Sequence, residues 1–484
     1  MTYDLIIVGG GINGCAIARE AAVNGLNVLL VEKDDLAAHT SSASTKLIHG
    51  GLRYLEYYQF KLVREALQER ERLLKAAPHL IRPMHFVLPH ENAIRPWWMV
   101  RLGLAFYDRI GGRISLSRSR SLKRRDDLFL APLRRKGKGF VYSDCWVDDA
   151  RLTLLNAMDA AQHGARIMTR TALVSAQRRD GVWQAELSDG QRIAARAIVN
   201  AAGPWVAEML ADIHVQSRSK VRLVKGSHII VPRLFEGEHA YMLQQPDRRI
   251  VFAIPYQGTS TLIGTTDVPV ARPEDAGISE DEALYLCAAA NRYLGRQITP
   301  RDVTSSYSGV RPLYDDGAPE SRAVTRDYVL ELDSEGPPAL SVFGGKITTA
   351  RRLAQQAFDT LAGAMNWRRN ASTEDRPFPG GEMANFSRYL EEVRKGWPFL
   401  GEARSLRMAR AYGVMLGEML DGVSSAEAMG RDFGSGFTEI EARWMRDREW
   451  AATADDCLMR RSKLGLAMSN AEQISFQVWW ENLS

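Results

Sequence analysis

Residues 6–34, "IIVGGGINGCAIAREAAVNGLNVLLVEKD", decide the fold. A mostly apolar run from Tyr3 to Val8 is interrupted by Gly9 to Gly14, and Ile12 to Asn24 is alanine-rich with helical spacing. A second apolar run, Leu26 to Val31, ends in Glu32. Strand, glycine turn, helix and strand make one βαβ unit, which opens a parallel sheet through a right-handed crossover. Gly9, Gly11 and Gly14 stand at G-x-G-x-x-G spacing where strand meets helix. Glycines there let backbone approach a pyrophosphate at the helix N-terminus, and a carboxylate placed like Glu32 accepts ribose hydroxyls. The alternative is a glycine turn needed only for tight helix packing. With the whole unit present, a dinucleotide site is the expectation.

Downstream the apolar period changes. A charged stretch with helical spacing, "YQFKLVREALQERERLLKAAP", closes at Pro78, and "ARLTLLNAMDAAQHGA" follows Asp148 and Asp149 in the same style. From Ala172 the alternation becomes twofold, predicting a hairpin turned at Asp180 and Gly181 and a buried strand running to Ala201. "VRLVKGSHIIVP", "RRIVFAIP" and "STLIGTTD" predict an antiparallel sheet, and "ALSVFGG" a last strand running into a helix from Lys346 to about Ala362. Polar "NWRRNASTEDRPFPGGE" reads as a linker before a helical tail. The expected class is α/β: a Rossmann-type dinucleotide domain, discontinuous over 1–365, with an interleaved antiparallel-sheet domain at roughly 54–145 and 205–310. A linker at 366–383 and a helical domain at 384–484 complete it.

Composition bounds the function. A chain of 484 residues exceeds what one core fills, and 45% hydrophobic with 25% charged residues is ordinary for a globular protein. The four cysteines stand singly, which fits a reducing compartment and argues against zinc; no metal site is expected. "MTYDLIIVGGG" lacks a basic n-region and reads as a strand, so a cytoplasmic location is expected. No apolar run reaches the roughly eighteen residues of a membrane span, so membrane contact would be peripheral. The net charge of +5 is local: ten basic residues from Arg113 to Lys138, against Asp126 and Asp127, give that segment +8. This is a surface patch, and no recognition motif accompanies "RSRSLKRR", so nucleic acid is not an expected partner.

A second cluster follows the βαβ unit. In "HTSSASTKLIHGGLRY", Ser41, Ser42, Ser44 and Thr45 offer short hydroxyls and Lys46 a cation where an extended cofactor would lie, a need more typical of a flavin than of a nicotinamide. Together with "TSSASTKLIHGGLRYLE", "YSDCWVDDARL", "NAAGPWV", "KGSHIIVPR", "IGTTDV", "YSGVRPL", "TRDY" and "SVFGGKITT", the glycine fingerprint resembles the FAD-dependent, membrane-associated glycerol-3-phosphate dehydrogenases. The motifs come in that family's order, and the tail, with "DFG" and "DREW", is similar to its C-terminal domain. The resemblance implies a fold like glutathione reductase and D-amino-acid oxidase. It also implies oxidation of sn-glycerol 3-phosphate to dihydroxyacetone phosphate, transfer of electrons to membrane quinone, and peripheral attachment to the anionic inner face of the cytoplasmic membrane. It leaves a homodimer open. Carried over by position, it implies that Gly9, Gly11, Gly14, Glu32, Ser42, Ser44, Lys46, Leu47, His49 and Gly345 adjoin FAD. Arg53, Tyr54, His228, Thr265, Arg311 and Lys346 match positions around the substrate.

The chemistry suits these types. Planar arginine donors bind phosphate bidentately, so Arg53 and Arg311 are the expected clamp, against the alternative of surface arginines. A base for the C2 hydroxyl needs a near-neutral pKa. His49 ranks first because it adjoins the flavin cluster; His228 is second, with a backbone-satisfied core histidine as its alternative. Lys346 at a helix start would stabilise negative charge. Gly50 and Gly51 read as the place where flavin and substrate crowd the chain. Where the family usually carries tyrosine this chain has Ala350, expected on the face of Lys346, and a wider pocket would admit a longer polyol phosphate such as erythritol phosphate. An oxidase using oxygen is a further alternative, while "HGGLRY" and "GGK" speak against an amino-acid oxidase. "RPWWMVRLGLAFYDRIGG", before the basic run, reads either as an interfacial docking helix or as a buried cap helix.

Overall fold

The computed structural model describes residues 2–91, 93, 95–112, 115–315 and 327–483; Arg113 of the basic run and Thr325 and Arg326 of the "TRDY" motif lie outside them. One sheet of eight strands runs Val329–Asp333, Ala339–Phe343, Arg192–Asn200, Thr2–Val8, Val28–Val31, Arg166–Met168 along its main path. Thr2–Val8 pairs parallel with both neighbours, as the opening motif requires. Ile6, Ile7, Leu29 and Leu30 are fully buried, the pattern of parallel strands covered on both faces. Helix Ile12–Val23 packs against helices Asp149–Gln162 and Ala350–Met365, and its Cys15, Ala16, Ala18, Ala21 and Ala22 leave room for that approach. The hairpin of Leu173–Arg179 with Val182–Leu187 turns at Asp180 and Gly181, both at positive φ.

The second sheet has ten strands, most of them antiparallel. Its long strand Val221–Pro232 pairs with Ser305–Tyr314 on one side and with Ser260–Gly264 on the other. Leu47–Ile48 forms an edge strand of this sheet. Residues 32–48 therefore carry the chain from the end of a dinucleotide-sheet strand to the rim of the other sheet.

Two expectations near residue 346 are corrected. The α-helix begins at Ala350, preceded by a 3-10 turn at Ile347–Thr349, and Lys346 is extended (φ −137°, ψ 149°). Gly344 and Gly345 at positive φ and the β-branched run Ile347, Thr348, Thr349 delay helix entry. Ala350 therefore does not share a helical face with Lys346; it is 3% exposed, in the core with Leu353 and Ala354.

Residues 366–383 cross the surface of the dinucleotide unit under restraint. Asn24 Oδ1 accepts the backbone amides of Asn370 and Ala371, Arg369 pairs with Glu20, and Phe378 is buried beneath the Arg19 guanidinium. The C-terminal helices, Phe386–Gly396 through Asn470–Glu481, enclose their own core around Met408, Tyr412, Leu416, Met445 and Phe476. They join the rest through buried ion pairs, among them Arg151 with Glu449 at 2.9 Å. Among the described residues no helix is long and apolar enough to cross a membrane.

Candidate active site

Two adjoining cavities of about 290 and 310 Å³ share a wall of Ile12, Thr40, Ser41, Pro312, Gly344 and Gly345. The smaller is lined by Gly9, Gly11, Glu32 and Trp205. Gly9 has φ +113°, and a Cβ on it would stand 2.4 Å from the Ala201 carbonyl oxygen. Helix Ile12–Val23 starts from Gly11 with no side-chain cap. The Ile12 amide donates to Ser41 Oγ at 2.9 Å. Glu32 accepts the amides of Gly10 (2.6 Å) and Asp34 (2.8 Å). Burial raises its carboxyl above the usual range, partly offset by those donors. Asn13 donates to the Gly344 carbonyl while its buried Oδ1 has no partner. A glycine-lined helix start and a strand-end carboxylate are the groups a dinucleotide engages, and two cavities in series give length for FAD.

The larger cavity is lined by His49, Arg53, Tyr54, Thr265, Arg311 and Lys346, with Asp267 and Asp327 as its acids and Tyr142, Met242, Ile250 and Phe252 as apolar wall. Strand register puts Arg311 opposite Val224, and Gly226 leaves the guanidinium its place, since a Cβ there would stand 2.3 Å from it and displace it. Arg311 is anchored by Asp267 Oδ1 at 2.5 Å and Thr265 Oγ1 at 3.0 Å. The next residue, Thr266, donates to Glu282 at 2.7 Å. Glu282 also takes Ser227 Oγ at 2.8 Å and pairs with Lys225 at 2.9 Å. Despite the cost of burial, these partners hold its carboxyl down to about 2. The Lys346 ammonium lies 4.1 Å from the centre of the Tyr54 ring, which joins the two cavity residues as a cation–π pair.

The loop bearing His49 is fixed from behind. Gly50 N donates to Tyr107 OH at 2.8 Å, and that hydroxyl donates to Asp144 Oδ2 at 2.9 Å. A Cβ on Gly50 would stand 2.6 Å from Leu67 and 2.7 Å from the Tyr107 hydroxyl. One on Gly51, at φ +73°, would stand 2.2 Å from the Tyr54 ring. The protein's own side chains already require the glycine pair, and both glycines also line the larger cavity, where flavin and substrate are expected to crowd the chain.

Not every expected residue reaches a cavity wall. His228 is fully buried, stacked on Tyr307, with Nε2 3.0 Å from Thr45 Oγ1 and Nδ1 unpartnered. Burial, then the cations Arg311 and Lys46, hold its pKa well below the usual histidine range. It sits behind Thr45, so the core alternative describes its position, with a hydroxyl in place of backbone as partner. Lys46 is 1% exposed, its ammonium 2.8 Å from Asp149 Oδ1. Ser42 hydrogen-bonds the His39 carbonyl, and Gly14 packs the helix onto Gly9, its Cβ position 1.9 Å from the Gly9 oxygen. Ser44, Leu47 and Gly345 do line the larger cavity. Sequence reasoning passed over Asn13, Asp267 and Thr348, whose Oγ1 accepts the His49 amide. Asp267 carried a signal, an acid closing the "IGTTD" strand end; Asn13 and Thr348 carried none.

Residues 4–351 match the protein-family model described as "FAD dependent oxidoreductase". The chain is 50% identical to a glycerol-3-phosphate dehydrogenase of Pseudomonas aeruginosa, over 98% of this chain and 94% of the relative. It is 49% identical to a D-erythritol 1-phosphate dehydrogenase of Brucella abortus, over 99% and 98%. The structure of the glycerol-3-phosphate dehydrogenase from Bacillus halodurans complexed with FAD is similar at TM-score 0.75 and 26% identity, covering 99% of this chain and 94% of that one.

Proposed function

The chain belongs to the FAD-dependent oxidoreductase family, in its glycerol-3-phosphate dehydrogenase branch, and we propose that its larger cavity oxidises sn-glycerol 3-phosphate to dihydroxyacetone phosphate. The observation that carries this is one cavity wall holding two arginines, a lysine and a histidine beside the glycine-cradled cavity. Arg53 and Arg311 hold the phosphate, with Asp267 and Thr265 keeping the Arg311 fork in place. His49 takes the proton of the C2 hydroxyl, and Lys346 stabilises the negative charge that develops on that oxygen. FAD, when bound, supplies the two-electron acceptor for the hydride leaving C2. The decisive experiment is anaerobic addition of glycerol 3-phosphate to the purified flavoprotein. Bleaching of the flavin absorbance is expected, and an unchanged spectrum would refute the reading.

A second substrate is favoured by the Brucella relative, whose identity to this chain nearly equals that of the Pseudomonas one. D-erythritol 1-phosphate belongs in the same titration; bleaching by it and not by glycerol 3-phosphate would reassign the substrate. Ala350 gives no support to that reading, being in the core.

For the acceptor we assign membrane quinone, reached by docking on the cytoplasmic face. Tyr57, on the cavity rim, is half exposed and is followed by exposed Tyr58 and Phe60. The Phe60 ring lies 5.5 Å from Phe106, and Trp98, Met99 and Leu102 continue the apolar face along helix Trp97–Ile110. Exposed apolar and aromatic side chains near a basic run suit an anionic lipid surface. Flotation with anionic liposomes at low and high salt tests this, and absence of binding at both removes it. Re-oxidation by a soluble quinone faster than by air is expected; the reverse would make the enzyme an oxidase.

A further inference from the structure

The loop between Glu32 and His49 contributes wall to both cavities; one short segment of the C-terminal region grips its dinucleotide end directly and backs its substrate end through Asp148. At the dinucleotide end, Asp35 is 2% exposed and receives both prongs of Arg461, at 2.6 and 2.8 Å, and Arg460 Nε at 2.8 Å. At the substrate end, Asp149 accepts Lys46 Nζ at 2.8 and 3.0 Å and the Ser44 hydroxyl at 2.7 Å. Its neighbour Asp148, the N-cap of helix Asp149–Gln162, accepts Lys463 Nζ at 2.6 Å. Lys46, Asp148, Asp149 and Lys463 are each less than 9% exposed and together carry no net charge. Buried charges are tolerable only when paired: without Arg460 and Arg461 the Asp35 carboxylate loses its ion pairs, and without Lys463 so does Asp148, the neighbour of the Asp149 that holds the substrate end.

We propose that "RRSK", residues 460–463, is a clasp through which the C-terminal helical region retains FAD, with Arg461 and Lys463 as positioning residues for the cofactor loop. The inference rests on the FAD reading above. Neither residue lines a cavity, so each acts through Asp35 or Asp148. Removing Lys463 also leaves an uncompensated negative charge on Asp148, next to the Asp149 that holds Ser44 and Lys46, which makes a flavin bound against that loop harder to reduce.

The test uses full-length holoprotein and follows FAD release by free-flavin fluorescence, with far-ultraviolet circular dichroism on the same samples. Arg461→Met and Lys463→Met are expected to release FAD at least tenfold faster with helical signal retained. Glu449→Gln weakens the Arg151 pair of the same interface while keeping the Glu449 backbone carbonyl that accepts Arg461, and its release rate should stay within twofold of wild type. The reduction potential of Lys463→Met should fall, and Lys463→Met with Asp148→Asn, a neutral pair in which asparagine still caps the helix, should restore it. Wild-type release in both single variants, or equal acceleration by Glu449→Gln, would overturn the clasp. If either methionine variant fails to fold, Arg461→Lys replaces it, keeping charge but losing the two-pronged contact: faster release supports the clasp and unchanged release overturns it. Wild-type protein that carries no flavin would refute the FAD reading instead.

Discussion

Asp267 shows how a cationic site is built at the level of single residues. An arginine proposed to hold phosphate must be fixed without being used up, and one carboxylate oxygen at 2.5 Å with a threonine hydroxyl at 3.0 Å fixes the Arg311 plane while it still lines the cavity. Arg311→Met should therefore raise KM for glycerol 3-phosphate by roughly ten- to a hundredfold, the loss of a charge-assisted contact worth about 1.5–3 kcal/mol. Steady-state kinetics check this, and an unchanged KM would remove Arg311 from the clamp. The two histidines should part company in the same assay. His49→Gln is expected to lower kcat by about 10²–10⁴, the usual worth of a general base. His228→Gln should act mainly on stability, because its ring is sealed behind Thr45. Equal kcat losses in the two would mean that proton removal is not assigned by cavity position. That His49, Arg53, Arg311 and Lys346 would come together was legible because their motifs read as one site, and they do line one cavity. Which of two glycine-flanked histidines faces the cavity was not, since it depends on strand register and on the stacking of Tyr307 over His228.

Elements make their own demands, and the opening turn is the strictest. Gly14 touches no cavity, yet helix Ile12–Val23 can leave the strand only because nothing separates it from the Gly9 carbonyl. Gly14→Val should abolish FAD retention in the purified protein, read as loss of flavin absorbance, whereas full occupancy would contradict the packing argument. Helix Trp97–Ile110 is two-sided in another way: Leu104 and Tyr107 are buried, with Tyr107 bonded to Gly50, while Trp98, Leu102 and Phe106 face out. Replacing those three by serine should abolish liposome flotation while leaving flavin bleaching by substrate intact; retained flotation would move the docking face elsewhere. The first βαβ unit, the hairpin at Asp180 and Gly181 and the antiparallel strands were readable because period and turn chemistry are local properties. The helix start at Lys346 was misread because a positive-φ glycine pair and three β-branched residues postpone it by four positions. Ala350 thereby moved from a supposed cavity wall into the core.

At the scale of the whole molecule, the C-terminal helices and the dinucleotide unit meet across charge that no pattern along the chain announces, since its partners lie hundreds of residues apart. His79 sits in this interface, fully buried, with neither ring nitrogen hydrogen-bonded. Burial, followed by the nearby cations Arg151 and Arg410, pushes its pKa down to about 3 from an ordinary 6.5. His239 is pushed to about 4, chiefly by burial. A histidine held neutral in the fold binds a proton more readily once unfolded. Its contribution is therefore complete above pH 6.5 and is lost as pH falls from there toward the folded value, at about 1.4 kcal/mol per unit for each ring. The depressed carboxyls Glu282 and Asp456 add their losses only lower, below ordinary values near 4. The carboxyls of Glu32 and Asp144, raised by burial, act in the opposite sense, so the His79 contribution is read as the difference between wild type and variant in denaturant unfolding between pH 6.5 and 5. His79→Leu should flatten that slope by about 1.4 kcal/mol per pH unit, because leucine fills the site with no proton to gain on unfolding. An unaltered slope would mean that His79 already meets solvent in the folded protein, and that this interface is wetter and looser than its buried ion pairs require.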